Sequence, residues 1–306
     1  MSASPTAPRT ARDFVRASTT FLTQRGVPAA RRDAELLLAE VLHLSRTQLY
    51  MDLDRPMIPA EVDAYRELVR RRAAREPVAY IVGTKGFWKL DFKVDRRVLI
   101  PRPETERLVE LVLAAVAADR ERAWRIVDVG TGSGCLAISL AHELPAATVV
   151  AIDSSPAALE VASANAEQLG VRDRVRLVQG DLLQPLLARG SRVDIVVSNP
   201  PYVGTGEGDR MDPDVRLWEP GAALYAGDDG LDVVRRLLPE ARAVLAPGGR
   251  LWMEHGDLQG PACRELAREA GFAQTATLQD YNRLDRVLYA AADAEDAVVA
   301  VDAPAT

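Results

Sequence analysis

The residues of this 306-residue chain with the clearest chemical potential are Ser198-Asn199-Pro200-Pro201-Tyr202, which follow a short apolar run. Two prolines fix φ and remove two N–H donors, so this stretch of backbone presents carbonyl oxygens. Asn199 adds a side-chain carbonyl. Together these acceptors can bind both hydrogens of a planar NH2 group, and Tyr202 offers an aromatic face to a flat substrate. The segment therefore predicts a site for an amide or an aromatic amino group.

Such a nitrogen is a poor nucleophile because its lone pair is delocalised. Holding both N–H groups out of the plane that favours conjugation would direct the lone pair at a sulfonium methyl group. The rate gain would come from positioning and polarisation by the acceptors rather than from a strong base. We therefore predict methylation of an amide or aromatic amino nitrogen.

A glycine-rich loop precedes this segment along the chain. Asp128-Val129-Gly130-Thr131-Gly132-Ser133-Gly134 lies between a predicted strand and a predicted helix, where glycines permit a tight turn and a close approach of backbone to ligand. Asp153 closes the next strand, and its carboxylate can accept from both hydroxyls of a ribose. Asp181 ends the third strand, where it could accept from the amine of an adenine, although such residues are as common in turns. A dinucleotide and S-adenosylmethionine both fit these residues.

Hydrophobic periodicity predicts the elements that position these residues. Short apolar runs bounded by Gly, Pro and Asp predict five strands, at residues 126–129, 149–152, 175–178, 195–197 and 251–253. Helical patterns lie between most of them, near residues 135–144, 156–169 and 230–245. This alternation predicts the α/β class, with a mainly parallel, doubly wound sheet that binds ligands at the carboxyl ends of its strands.

The N-terminal part of the chain has a different pattern. Apolar residues at helical spacing predict three helices, around residues 14–22, over 33–42 and from about 59 to 75. Alternating residues with interspersed glycines then predict a β-hairpin from Tyr80 to Ile100. The expected domains are a small helical bundle at 10–78, a hairpin linker at 79–100, the α/β domain at 101–290 and a disordered tail at 291–306.

Composition excludes several classes of protein. With 48% hydrophobic and 27% charged residues, the chain is neither disordered nor fibrous. Two cysteines and three histidines show no metal-ligand spacing, so we expect no metal. Without a signal peptide or a long apolar run, we expect a soluble, cytoplasmic protein. Residues 1–100 carry 18 basic and 12 acidic side chains, against 20 and 32 in the remainder. The basic part could face an anionic partner or be a solvated helix surface.

Three segments together resemble the HemK/PrmC family of peptide chain release factor glutamine methyltransferases. They are Asn199-Pro200-Pro201-Tyr202, Asp128-Val129-Gly130-Thr131-Gly132-Ser133-Gly134 and Ile100-Pro101-Arg102-Pro103-Glu104-Thr105-Glu106. Further matches are Tyr80-Ile81-Val82-Gly83, Glu219-Pro220, Glu254-His255-Gly256 with Gln259, and Asp280 with Arg286-Val287. The likeness covers roughly residues 10–290. The third segment is the most specific, because the other two are shared with other methyltransferases.

The resemblance implies a class I methyltransferase-like, Rossmann-like fold that uses S-adenosylmethionine. The substrate would be the glutamine of the Gly-Gly-Gln motif in class I release factors, modified at its side-chain amide nitrogen. The methionine part of the cofactor would be lined by Gly130, Thr131, Gly132, Ser133 and Gly134. Its remaining contacts would be Asp153 at the ribose, Asp181 and Leu182 at the adenine, and Asn199. In some members an aromatic residue stands where this chain has Leu182, so stacking becomes an aliphatic contact.

By the same carry-over, Asn199, Pro200, Pro201 and Tyr202 would bind the glutamine, with Asn199, Pro200 and Tyr202 as the catalytic residues. The helical domain would dock on the release factor, because three residues offer less than the roughly 800 Å² that a standard interface buries per partner. We expect a monomer with no stable nucleic-acid or membrane partner.

Three other functions compete with this interpretation. Methylation of an adenine or guanine amino group in nucleic acid would use the same Asn199 chemistry, but the acidic α/β half lacks the interleaved basic and aromatic residues of a strand-binding groove. An NAD-dependent oxidoreductase would explain Asp153 but leave residues 199–202 without a role. A non-catalytic adaptor would use the helical bundle alone and bind no cofactor.

Overall fold

A computed structural model describes residues 9–293 and contains, within them, twelve α-helices and nine strands. The helices are α1 (Ala11–Gln24), α2 (Ala30–Leu42), α3 (Arg46–Met51), α4 (Pro59–Ala73), α5 (Val78–Val82), α6 (Glu106–Ala115), α7 (Cys135–Glu143), α8 (Pro156–Gln168), α9 (Gln184–Leu187), α10 (Pro213–Trp218), α11 (Asp232–Val244) and α12 (Gly260–Glu269). The strands are β1 (Thr84–Phe87), β2 (Leu90–Lys93), β3 (Arg125–Val129), β4 (Thr148–Asp153), β5 (Val175–Gln179), β6 (Val193–Ser198), β7 (Leu245–Glu254), β8 (Gln274–Gln279) and β9 (Asp285–Ala291).

The chain divides into two units, of which the first is helical. It comprises the described residues up to Thr84 together with Asp212–Trp218, and so contains α1 to α5 and α10. Its core is built from side chains that the helical periodicity turns inward, including Leu22, Leu37 and Tyr65. The Tyr65 hydroxyl donates to the carbonyl of Ala34 at 3.0 Å, which satisfies the one polar atom of this buried ring. The three predicted helices are confirmed as α1, α2 and α4.

A buried cation belongs to this helical unit. The Arg72 side chain is 4% exposed, and its guanidinium donates to Asp33 at 2.6 Å and to Asp214 of α10 at 2.6 Å. A third bond reaches the carbonyl of Glu76 at 3.1 Å. Since a buried charge is costly unless it is paired, these contacts tie α10 to α2 and α4.

The prediction of a hairpin beginning at Tyr80 is wrong at its first residues. Tyr80, Ile81 and Val82 belong to α5, so the helical unit extends beyond residue 78. Val78, Ile81 and Val82 stand at helical spacing and pack against the helical core, and Gly83 ends the helix in a left-handed conformation at φ +76°. The hairpin itself is confirmed in shorter form as β1 and β2.

The second unit is an α/β domain over the described residues of Lys85–Met211 and from Glu219 onward. Its seven-stranded sheet has the order β5-β4-β3-β6-β7-β9-β8. The first five strands of that order are parallel, and β9 is antiparallel to both β7 and β8. Every residue of β6 is buried, as expected for a central strand covered by helices on both faces. The mainly parallel sheet is confirmed.

Two strands at one edge of the sheet were not predicted. β8 reads Gln-Thr-Ala-Thr-Leu-Gln and is only partly buried, so its apolar signal is weak. β9 ends at Ala291, which is buried, so the predicted tail begins too early. The rest of that prediction lies on residues 294–306, outside the described residues.

The order of the sheet places the predicted site. β4 and β5 lie on one side of β3, whereas β6 and β7 lie on the other, so the connections reverse direction between β3 and β6. Ligands of such sheets bind at this reversal, beyond the carboxyl ends of the strands. The glycine loop follows β3 and the Asn-Pro-Pro-Tyr segment follows β6.

None of the described helices is long and apolar enough to cross a membrane.

Candidate active site

The glycine-rich loop leaves the end of β3 and is held by the neighbouring strand. The amides of Gly130 and Thr131 donate to the carbonyl of Ile152 at 2.9 and 3.0 Å, and the Gly132 amide donates to the Asp153 carboxylate at 2.8 Å. A Cβ added at Gly132 would meet no atom within 4 Å, so this backbone is open on its free side. At Gly134 it would lie 2.8 Å from Ile138, which shows that this glycine permits close packing of α7.

A cavity of about 270 Å³ lies at the carboxyl ends of β3, β4 and β6. Seven of the predicted site residues line it: Gly130, Gly132, Asp153, Asp181, Leu182, Asn199 and Pro201. A smaller cavity of about 40 Å³ is lined by Thr131 and Ser133, and it shares Gly130, Gly132 and Asn199 with the larger one. Gly134, Pro200 and Tyr202 line neither of these two cavities, although Pro200 and Tyr202 flank Pro201.

Asp153 presents its carboxylate to the larger cavity. One oxygen accepts from the Gly132 amide at 2.8 Å, and the other accepts from the Ser155 amide at 2.9 Å. These two bonds fix the plane of the carboxylate. Each oxygen keeps a further lone pair that can accept from a hydroxyl group.

The end of β5 contributes a charged pair that the sequence did not predict. The Asp181 carboxylate bonds to the guanidinium of Arg236 on α11, and both residues line the larger cavity. Leu182 stands beside them with φ +48°, in the left-handed region. The cavity therefore has a planar cation, a carboxylate and an aliphatic side chain at this end.

Asn199 belongs to a chain of side-chain hydrogen bonds. Its Nδ2 donates to the Thr105 hydroxyl at 3.0 Å, and Thr105 donates to Oε2 of Glu254 at 2.6 Å. The Tyr202 hydroxyl donates to Oε1 of the same carboxylate at 3.2 Å. Among the described residues, none donates a hydrogen bond to Oδ1 of Asn199 or to the carbonyl of Pro200. These two oxygens are therefore free to accept from a ligand.

Burial governs the ionisation of the groups around this chain. It raises the pKa of Glu254, against the hydrogen bond from Thr105 and the positive charge of Arg286. It also raises the pKa of Tyr202, and the nearby Glu254 adds to that rise, so the phenol remains a donor. His255 is fully buried, and burial lowers its pKa. The imidazole is therefore neutral, and its Nδ1 lies 2.7 Å from the carbonyl of Gly256.

Two further contacts hold the segments that form the site. Glu219 is buried and accepts from the Ile100 amide at 3.0 Å and from Arg102 at 2.6 Å. Gln259 donates to the carbonyl of Tyr202 at 3.0 Å. In consequence, the Asn-Pro-Pro-Tyr segment and the loop before α6 are each fixed by a distant side chain.

Sequence reasoning missed the roles of Thr105, Glu254 and Arg236. Thr105 and Glu254 lie in segments that carry the family resemblance, but 94 and 52 positions separate them from the Asn199 and Tyr202 side chains that they contact. No local pattern joins residues so far apart.

Within residues 9–293, no group of three or more His, Cys, Asp or Glu side chains could hold a metal ion.

Comparisons with known proteins give consistent results over both units. Residues 13–83 match the family model of the PrmC N-terminal domain, and residues 120–295 match that of a methyltransferase domain. The release factor glutamine methyltransferase of Moorella thermoacetica is 46% identical over 270 residues, covering 88% of this chain and 94% of that protein. The protein of the same name from Geobacter sulfurreducens is 44% identical over 268 residues, covering 88% and 92%.

Solved structures resemble this chain at low sequence identity. The hMettl16 catalytic domain in complex with a 3′UTR hairpin has a TM-score of 0.55 at 16% identity, covering 75% of this chain and 83% of that one. A T. Thermophilus 16S rRNA methyltransferase (RsmC), in complex with AdoMet and guanosine, has a TM-score of 0.51 at 20% identity, covering 68% and 49%. These likenesses confirm the predicted Rossmann-like methyltransferase fold.

Proposed function

Because this chain belongs to the family of release factor glutamine methyltransferases, we propose that it methylates the side-chain amide nitrogen of the Gly-Gly-Gln glutamine in class I release factors. It is an S-adenosylmethionine-dependent enzyme. The observation that carries the choice of an amide substrate is a pair of free acceptors: Oδ1 of Asn199, a residue that lines both cavities, and the carbonyl of Pro200, the next residue in the chain.

The residues around the larger cavity fit S-adenosylmethionine. The open backbone at Gly132 leaves room for a ligand where a side chain would project. The fixed Asp153 carboxylate suits the two ribose hydroxyls. Leu182 offers aliphatic surface to an adenine, and Asp181, which also pairs with Arg236, offers an acceptor to its amine. When it is bound, the cofactor supplies an electrophilic methyl group.

Asn199 and Pro200 would bind the glutamine side chain through its two N–H groups. Two acceptors hold the nitrogen in one orientation and increase the electron density on it, and positioning of this kind can supply several kcal/mol of a barrier. Tyr202 would pack against the amide plane, because its hydroxyl is anchored on Glu254. No base is needed, since a methylated, protonated amide loses its proton readily. The fully buried, neutral His255 then has a packing role.

The helical unit would provide most of the contact with the release factor. A Gly-Gly-Gln motif offers far less surface than the roughly 800 Å² per partner of a standard interface. A docking surface outside the active site would therefore set specificity. A substrate from the translation machinery also implies a cytoplasmic enzyme. Because one copy of the chain holds every residue that the proposal uses, a monomer is sufficient for the activity.

The test is methyl transfer from radiolabelled S-adenosylmethionine. A purified class I release factor should be labelled, whereas its variant with Ala in place of the motif glutamine should not. The Asn199→Ala variant should lose most of the activity even at saturating cofactor. Label on total nucleic acid, with none on the release factor, would instead transfer the Asn199 chemistry to a base amino group and contradict the proposal.

A further inference from the structure

We propose that Thr105 is a positioning residue that sets which end of the Asn199 amide faces the substrate, and that Glu254 fixes the direction of the Thr105 hydroxyl. The inference rests on the proposed function, because it deepens the role of the same site. Thr105 and Glu254 are 2% and 1% exposed, so water has little access to the hydrogen bonds between them. Glu254 lines neither of the two cavities described above, and it reaches the substrate site only through Thr105 and Tyr202.

This chain of hydrogen bonds has few donors. Both Glu254 oxygens accept, one from Thr105 and the other from Tyr202, and a threonine hydroxyl has a single proton to donate. Thr105 gives that proton to Oε2 of Glu254 at 2.6 Å, a short distance for a bond between two oxygens. On the side that faces Asn199, the Thr105 oxygen therefore has only lone pairs and can only accept a hydrogen bond.

Only one end of an amide can satisfy that oxygen. The Nδ2 group of Asn199 donates to it at 3.0 Å. If the amide turned over, Oδ1 would face an oxygen with no proton between them, and a partly buried acceptor would lose its partner. The direction of the Thr105 hydroxyl therefore points Nδ2 inward and leaves Oδ1 free for the substrate.

The position of Thr105 is itself fixed by the fold. It closes a short 3-10 turn, Pro103–Thr105, that leads directly into α6. The loop before this turn is held by the buried Glu219, through the Ile100 amide and Arg102. Glu254 ends β7, the strand beside β6, whose end carries Asn199. The ends of the adjacent strands β6 and β7 and the turn that ends at Thr105 thus meet at the side-chain amide of Asn199.

The experiment is a double-mutant cycle between Thr105 and Asn199. Thr105→Val removes the hydroxyl at nearly constant volume, and Thr105→Ser is the matched variant that retains it. Thr105→Ala removes the same hydroxyl and replaces Thr105→Val if that variant does not fold. Each is made in the natural chain and in the Asn199→Ala background. Single-turnover methyl transfer to a release factor, KM for that factor and cofactor affinity by calorimetry are measured for each variant.

We expect Thr105→Val to lower kcat by roughly 10²-fold, since a reacting group misplaced by about 1 Å can cost that much. KM and cofactor affinity should be unchanged, and Thr105→Ser should restore most of the lost rate. In the Asn199→Ala background, Thr105→Val should cause no further loss, because it acts through an amide that is no longer there.

A loss by the same factor in both backgrounds would overturn the inference, because it would show a structural effect of the substitution. Full kcat in Thr105→Val, or a Thr105→Ser variant as slow as Thr105→Val, would do the same. An unmodified enzyme that labels no release factor would overturn the proposed function, and the inference with it. If the unmodified enzyme is active but the losses from Thr105→Val and Asn199→Ala are additive, only the role of Thr105 is refuted.

Discussion

The ribose assignment of Asp153 gives a prediction that can be worked through from the geometry. Its two carboxylate oxygens already accept from the Gly132 and Ser155 amides at 2.8 and 2.9 Å, so the group is oriented before a ligand arrives. Hydrogen bonds to a charged acceptor contribute about 1.5–3 kcal/mol. We expect Asp153→Ala to weaken S-adenosylmethionine binding by that amount, which is roughly 10- to 150-fold in Kd.

The isosteric variant sharpens this prediction. In Asp153→Asn, the new NH2 group must face either the Gly132 amide or the Ser155 amide, and both are donors. A donor placed against a donor leaves a hydrogen bond unmade. We therefore expect Asp153→Asn to bind the cofactor no better than Asp153→Ala, although its shape is almost unchanged.

Isothermal titration calorimetry checks both variants against two ligands, S-adenosylhomocysteine and its 2′-deoxyribose analogue. The unmodified protein should discriminate between them, whereas Asp153→Ala should bind them nearly alike. Asp173→Ala is the control, since Asp173 is exposed and lines neither cavity. If Asp153→Ala kept the full discrimination between the two ligands, the carboxylate would not bind the ribose and the reasoning would fail.

Three further predictions concern other parts of the molecule. Leu182→Phe should tighten S-adenosylhomocysteine binding by roughly 2- to 10-fold, because an aromatic face adds about 0.5–1.5 kcal/mol of stacking; weaker binding in calorimetry would argue against an adenine at Leu182. Burial raises the pKa of Asp128 to about 7 from 3.8, so between these values the folded protein holds a proton that the unfolded chain releases. The free energy of unfolding should consequently fall by about 2 kcal/mol from pH 5 to pH 7, and urea denaturation should show a flatter profile for Asp128→Asn; equal slopes would contradict this origin. Arg72→Met should destabilise the helical unit by about 3–5 kcal/mol, because Asp33 would be left buried and unpaired. Adding Asp33→Asn should recover part of that loss, and a double variant less stable than Arg72→Met would refute the explanation.

Much of the fold could be predicted because its signals are local. The strands of the sheet centre are continuous apolar runs bounded by turn residues, as buried parallel strands require. The three long helices of the first unit show a periodic apolar face. β8 lacked such a signal because it is an edge strand that the core covers only partly. α5 was missed because its five residues are too few to display a period.

The candidate site divides in the same way. Seven predicted residues line one cavity because parallel strands bring their carboxyl ends to a common edge. Gly134 and Thr131 also hold the loop: Gly134 permits close packing of α7, and the Thr131 hydroxyl donates to Asp128 at 2.6 Å. Their motif is visible in the sequence, but the direction in which each residue faces depends on the packing around it.

The chemistry of residues 199–202 follows from the sequence, because a proline lacks its N–H and an asparagine carries its amide in any environment. So does the order along the chain of the five central strands and of the three long helices of the first unit. The contacts of Thr105 with Asn199, 94 positions away, and of Arg236 with Asp181, 55 positions away, depend on how the chain folds. The physical reason is that a hydrogen bond depends on distance in space, and the order of strands in the sheet sets that distance.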